Sequence, residues 1–475
     1  MRVLIVPELY RPDDATANGT LNDATVWVDS WLDIDPNLHV YWLLAPPETA
    51  NYDPEYVHAD RERVTLVEAE PYMHGHDHQH AFTESGYSEA QLEALREAIY
   101  DELGYVDVVV DQLRRGRADL YKWLLALDGH RADKIDPIDI IANVHDLQLP
   151  FKYSGTGWRN DFQRETEITE AVLSDGMWFK AAVDADGMRE YGEQLLDDSV
   201  LELALDEAIQ TGSPIDFSRF EETYNDEPQW LHVAGSVWDK KQTGVVMEIA
   251  ELLHEKFGIR TVMTSMSQIP TEYADLSWVE AYPKASREEF EAALQKGDLC
   301  ISATEYETLA RTWFEQAGSG QVLIARDQPW IYDCIPSDYE LTGDIDELAD
   351  LAVWVVEHWS EAVAESQRML EYAKDIRDPV RSGQRTYDDM ARRVTEKVES
   401  YGPDQNDEIV GETLGEFDGT VGLDELNERS AKFTETGEKL LDGECALSEV
   451  VYALRRRGYR DTGTGKTPVF EQDER

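Results

Sequence analysis

"QWLHVAGSVWDKKQTGVVMEIAELLHEKFGIRTVMTS", residues 229–265, decides how this chain folds. It opens with a short apolar, β-branched run and passes through a polar loop that carries Gly235. A helical pattern follows, "TGVVMEIAELLHEKFG", and then a second β-branched run, "RTVMTS". Strand, helix and strand at this spacing form one βαβ unit of a parallel sheet. Downstream the alternation continues through the helix "REEFEAALQKG", the strand "DLCISAT", a helix in "ETLARTWFEQAGSG", the strand "QVLIARD" and the helix "DIDELADLAVWVVEHW".

The same pattern stands upstream. "MRVLIVPELY" reads as a buried strand, followed by a loop with "TANGT" and a helix from about Leu21 to Leu32. Further short apolar runs, "HVYWLLAPP", "VTLVEAEP", "VDVVVDQL" and "IDIIANVHDL", are separated by helical stretches such as "SEAQLEALREAIYDEL". Two doubly wound α/β domains follow, with ligand sites expected at the carboxyl ends of the strands and in the cleft between the domains.

The length of 475 residues suits two or three domains with a real core. No stretch reaches the roughly 20 apolar residues of a membrane span, and the amino terminus is too short in its apolar run for a signal peptide. A cytoplasmic protein is expected. Three cysteines, Cys300, Cys334 and Cys445, make no disulfide framework and read as small core or surface residues.

The net charge of −55 sits on a chain with 42% hydrophobic residues, too many for a disordered acidic tract. Arginine outnumbers lysine about two to one. An acidic skin of this kind repels itself in dilute buffer, whereas at 1 M salt the Debye length falls to about 3 Å. The acidity is read as adaptation to a salt-rich cytoplasm, as in a halophilic archaeon or its virus. A basic partner is the competing reading, but the acids are spread along the chain; a nucleic-acid groove is disfavoured on the same ground.

With these motifs in place, residues 1 to about 401 resemble a GT-B glycosyltransferase of the retaining family 4 type. The second half of that family carries a strand, Gly-Arg-Leu, a lysine and a glycine, then a Glu-x7-Glu element with a small-residue turn. Here "VAGSVWDKKQTG" and "ETLARTWFEQAGSGQVLI" stand in that order. The resemblance makes Gly235 the first glycine, Lys241 the phosphate-binding lysine with Lys240 beside it, Glu307 and Glu315 the two glutamates, and Gly320 the turn glycine. "TGSPIDFSRF" is similar to the segment opening the donor domain, with Ile215 and Asp216 retained.

The resemblance implies two Rossmann-like domains facing a cleft: an acceptor-side domain over 1–205, a donor-binding domain over 206–378, and a helix crossing back over 379–401. Residues 402–475 form a linker and a small extension of no assigned role. It implies a retaining transfer from a nucleotide-diphosphate sugar, without metal or other cofactor, to an acceptor the sequence does not name. Lysine and helix amides can neutralise the leaving diphosphate. A carboxylate can accept from both ribose hydroxyls, the role implied for Glu315, while Glu307, eight residues earlier, faces the sugar. Taken alone, two glutamates at this spacing read first as a solvated helix face; the lysine segment upstream and the glycine turn downstream favour the site.

His145, in "ANVHDLQLP", is placed by the resemblance at a strand end facing the cleft, where it supports the reaction; a satisfied structural histidine is the alternative. Gly19 corresponds to the glycine loop after the first strand. Two departures stand out. Ser236 replaces the arginine of Gly-Arg-Leu, and Ala310 replaces a glycine beside the donor, so a non-catalytic nucleotide-sugar-binding or scaffold protein is the alternative.

"YMHGHDHQH" sets His74, His76, His78 and His80 at alternate positions, a pattern for a metal or, more simply, for a polar loop or acceptor contact. "TGTGKT" near the end mimics a phosphate loop but has Arg460 in place of its first glycine, and no strand is expected before it. Arg455, Arg456 and Arg457 with Gly458 read as a helix stop, or else as a partner surface.

Overall fold

In the computed structural model, Arg2–Val6 (β1) is buried along its whole length, as a strand covered on both faces must be. The structure describes residues 1–9, 19–46, 52, 57–69, 89–112, 139–144, 168, 174–193, 196–235, 241–307, 309–400, 414, 419–422, 426, 446–463 and 468–472. On one side β1 pairs in parallel with His39–Leu44 (β2), which pairs with Val64–Glu68 (β3). On the other side come Val108–Asp111 (β4), Asp139–Val144 (β5), Gly176–Phe179 (β6) and Ile209–Gln210 (β7). The order is β3-β2-β1-β4-β5-β6-β7.

Period-two alternation sorts the side chains of this sheet between its faces. Val3, Ile5, Val40, Trp42 and Val110 pack with Trp27 and Trp31 of Gly19–Ile34 (α1). Leu4, Val6, Tyr41, Leu43 and Val109 face Leu95, Ile99 and Leu103 of Glu89–Leu103 (α2). After β6 come Ala182–Gly192 (α3) and Asp198–Asp206 (α4), the latter capped by Asp197, whose side chain accepts from the Ser199 amide.

The second sheet repeats the design. Trp230–Ala234 (β8) is followed by Thr243–Phe257 (α5), Arg260–Ser265 (β9), Val279–Pro283 (β10), Arg287–Lys296 (α6), Leu299–Ser302 (β11), Arg311–Gly318 (α7), Val322–Arg326 (β12) and Thr342–Gly343 (β13). All pairings are parallel, in the order β10-β9-β8-β11-β12-β13. In both sheets the order reverses beside the first strand, the point at which doubly wound folds open a ligand crevice. The α5 helix ends at Gly258, which takes the left-handed conformation at φ 76°. A reciprocal capping box between Ser286 and Glu289 starts α6.

Leu348–Glu357 (α8) and Trp359–Ile376 (α9) complete this part of the chain, and Pro379–Ser400 (α10) returns to the first sheet. There three buried tryptophans donate to it: Trp27 to Ser382 Oγ at 2.9 Å, Trp31 to Thr386 Oγ1 at 2.9 Å and Trp178 to Asp389 Oδ2 at 2.8 Å. Their rings also pack on one another, with Trp178 edge-on to Trp27 at 5.4 Å. Cys300 and Cys334 are buried core residues; burial raises both thiols, Cys334 to about 11.

The described part of the C-terminal extension holds Thr420–Gly422 (β14), Ala446–Arg456 (α11), Tyr459–Asp461 (β15) and Val469–Gln472 (β16), the strands forming an antiparallel sheet in the order β14-β16-β15. A strand does precede "TGTGKT", contrary to expectation, because Tyr459 and Asp461 alternate inward around exposed Arg460. The chain then re-enters the sheet as β16, antiparallel to β15. Arg455 forms a two-pronged pair with Asp107 at 2.6–2.7 Å, Arg456 donates to the Val398 carbonyl, and Gly458 turns the chain at φ 79°. Among the described residues no helix is long and apolar enough to cross a membrane.

Candidate functional site between the two sheets

A cavity of about 230 Å³ lies where the crevice of the second sheet faces the first domain. Gly235, Thr304, Glu307, Lys241 and Arg311 line it from the second domain, Gly19 and Lys180 from the first. Gly235 follows β8 directly and holds φ 104°, a conformation that disfavours any side chain. Its amide donates to the Thr264 carbonyl at 3.1 Å, which holds it beside β9 at the carboxyl end of β8.

Glu307 sits in the segment between β11 and α7, and Lys241 stands just ahead of α5. They meet because β8 and β11 are neighbours at the switch point. Lys241 Nζ is 2.5 Å from Glu307 Oε2, with the side chains 25% and 18% exposed. The two-glutamate spacing is therefore loop plus helix: Glu307 precedes α7, and Glu315 lies within it. Ala310 is the residue ahead of that helix, at φ −84° and ψ 74°. Gly320 closes the turn behind it at φ 85°, where a side chain would collide with the backbone of Thr223.

Glu315 is buried and does not line this cavity. Its Oε1 lies 3.5 Å from Arg287 Nη1 on α6 and 3.7 Å from Arg311 Nε, one helical turn back. Gly19 lines the cavity as the first residue of α1, and a Cβ there would meet only Arg311 Cδ at an ordinary 3.8 Å. His145 follows β5, whose last residue Val144 pairs with Phe179. His145, Ser236, Lys240 and the histidines 74, 76, 78 and 80 lie outside the described residues. Among the described residues no cluster of His, Cys, Asp and Glu could hold a metal ion.

The structure adds a group that the sequence reading passed over. Asp23, on the buried face of α1, is fully enclosed, and its Oδ1 accepts from Arg311 Nη1 at 2.7 Å and from Ser213 Oγ at 2.6 Å. Lys180 Nζ contacts Oδ2 of the same carboxylate. Burial pulls the Lys180 ammonium below its ordinary value, and Asp23 opposes that shift. Lys180 directly follows β6, "GMWF", a strand not recognised in the sequence; a charge at the carboxyl end of that apolar run was the available signal. Arg311 lies inside the Glu-x7-Glu interval itself.

No family model and no curated protein matches the chain. Solved structures do. Sucrose-phosphate synthase from Thermosynechococcus elongatus is similar with a TM-score of 0.59 at 11% identity, over 83% of this chain and 99% of that one. HepE from Anabaena, in complex with UDP-glucose, gives 0.53 at 10% identity over 83% and 100%. An E. coli structure described as trehalose-6-phosphate bound with UDP-2-fluoro glucose gives 0.55 at 10% identity over 82% and 99%. The likeness is one of fold, and that fold is GT-B: two doubly wound domains facing a cleft.

Proposed function

We propose that the chain is a retaining glycosyltransferase that moves a sugar from a nucleotide-diphosphate sugar to an acceptor seated on the first domain, in a salt-rich cytoplasm. The observation that carries this reading is the Lys241–Glu307 pair at the switch point of the second sheet, open to a cavity that the first domain completes. In this reading Lys241, with Lys240 beside it, takes the diphosphate and supports its departure. Glu307 turns to the sugar hydroxyls, and Glu315, exchanging its arginine contacts, takes the ribose. His145 approaches the sugar from the first domain as the bond breaks. Gly19 and Gly235 leave room for the ligand beside the backbone. The charge is balanced by these side chains and by backbone amides without a metal ion or other cofactor. Structural neighbours solved with UDP-glucose and UDP-2-fluoro glucose support a nucleotide sugar as donor.

A melting-temperature panel of UDP-, GDP- and ADP-sugars in molar potassium chloride tests the reading, because a bound donor stabilises by mass action whatever the acceptor is. One donor should raise the transition, and the anomeric configuration of the product should match that of the donor. An inverted product would remove the retaining mechanism. Binding without hydrolysis or transfer to any extract-derived acceptor would replace the enzyme by a nucleotide-sugar-binding protein.

A further inference from the structure

Two cations and one carboxylate, Lys180, Arg311 and Asp23, meet at the wall of the cavity, and they come from both domains. Resting on the donor reading above, we propose that Lys180 and Arg311 bind the donor's diphosphate from opposite sides of the cleft, and that Asp23 is the counter-ion that holds them until it arrives.

Placement is the first support. Lys180 stands at the carboxyl end of β6 and Arg311 at the first position of α7, so each occupies the end of its element that faces the crevice. Both line the same cavity as Lys241 and Glu307.

Unused donors are the second. A guanidinium carries five N–H groups in a planar fork. The hydrogen bonds of Arg311, to Asp23, Ser213 Oγ and the Pro214 carbonyl, all leave from Nη1. Its Nε is buried without a hydrogen-bond acceptor, since Glu315 stops at 3.7 Å. Nη2 has no partner among the described residues, and the side chain, 19% exposed, borders the cavity. A fork whose Nε–Nη2 edge is unengaged beside a cavity matches the paired oxygens of a phosphate.

Size is the third. The cavity of about 230 Å³ is smaller than the ~300–1,000 Å³ of ordinary ligand sites. A nucleotide sugar seated here would widen the cleft between the domains. Arg311 Nη1 to Asp23 Oδ1, at 2.7 Å, is one of the bonds joining them across the cavity wall. Parting the domains releases the arginine from Asp23 just as the anion becomes able to take its place. Asp23 thus favours the empty, closed cleft, and the diphosphate competes with it.

Calorimetric titration with pyrophosphate, which carries the charge without base or sugar, and with UDP, GDP and ADP separates the possibilities. Arg311→Met and Lys180→Met each leave Asp23 with one cation, and each should weaken pyrophosphate and the preferred diphosphate about tenfold or more. Asp23→Asn, which frees both cations, should tighten pyrophosphate several-fold. Should a methionine variant fail to fold, Arg311→Lys keeps the charge and loses the fork, and should bind about tenfold more weakly. If the cation variants bind within about twofold of wild type while Lys241→Met loses affinity, the cluster merely joins the domains and the donor reading stands. Unchanged or weaker binding by Asp23→Asn overturns the counter-ion. A wild type that binds neither pyrophosphate nor any nucleoside diphosphate overturns both readings together.

Discussion

Lys241 and Glu307, 66 positions apart, form an ion pair of 2.5 Å at the mouth of the crevice. The pair exists because the residues that follow two adjacent parallel strands are carried to one edge of the sheet. It is partly open to solvent, so its own contribution to stability is small, about 0–1 kcal/mol. Lys241→Met should therefore leave the melting temperature almost unchanged. The same variant should lower affinity for the nucleoside diphosphate and for the intact donor by about tenfold or more, the worth of one charge-assisted hydrogen bond. A large loss of stability with unchanged binding would make the pair a structural one.

The two glutamates should separate by ligand. Glu315→Gln should weaken the nucleoside diphosphate and the nucleotide sugar alike, since both carry the ribose, by on the order of 1.5–3 kcal/mol. Glu307→Gln should weaken chiefly the intact donor. Glu315 also faces Arg287 and Arg311 in a buried setting, so its variant should lose stability where the Glu307 variant does not. Calorimetry and melting curves on the same two proteins read both effects.

The order of strands and helices around Gly235 was legible because apolar runs of period two and helical runs of period 3.6 alternate there without ambiguity. Val279–Pro283 was missed because "VEAYP", at a sheet edge, shows no burial alternation and ends in proline. Gly176–Phe179 was missed because four residues are too few to show a period. The Glu-x7-Glu spacing was legible as a motif, but not the turning of Glu315 toward Arg287, which depends on where α6 packs. Asp23 and Lys180 were invisible for a plainer reason. In a chain with 98 acidic residues, one buried aspartate looks like the rest until the fold encloses it.

Acid should destabilise the protein through its buried histidines. His232 accepts from Gln321 at Nδ1 and meets Thr264 Oγ1 at 3.0 Å through Nε2, and burial pulls its pKa down to about 4. His39 is drawn to about 4 by burial first and by Arg2 second. Both folded values lie below the unfolded value of about 6.5, so between these limits the unfolded chain binds more protons. Stability should be level above about pH 6.5 and fall as pH drops toward 4, with His232 contributing on the order of 2–3 kcal/mol. His232→Gln, which cannot take up the proton, should flatten that slope in urea melts run from pH 7 to 4.5.

Salt should stabilise this protein by screening its own charge. With a net charge of −55, self-repulsion is long-ranged in dilute buffer and confined to about 3 Å at 1 M salt. The melting temperature should climb steadily from low to molar potassium chloride. Equal transitions at the two ends would separate the acidity from salt adaptation.

The C-terminal extension should prove part of the first domain's stability. Arg2, in β1, is fully buried, and its Nε donates to Asp461 of β15 at 2.7 Å. The same Asp461 oxygen accepts from Tyr105 at 2.8 Å, and beside it Arg455 grips Asp107. Removing one member of such a pair leaves a charge in a place that water does not reach, at a cost of about 3–5 kcal/mol. Asp338, which pairs with Arg368 at 2.7 Å, is 80% exposed and supplies the comparison, where about 0–1 kcal/mol is expected. Urea unfolding of Asp461→Asn and Asp338→Asn should therefore differ by several kcal/mol in the same direction. Equal midpoints would mean that Arg2 finds another acceptor when Asp461 is neutral, with Tyr41 and the Leu103 carbonyl, already its partners, the groups able to serve.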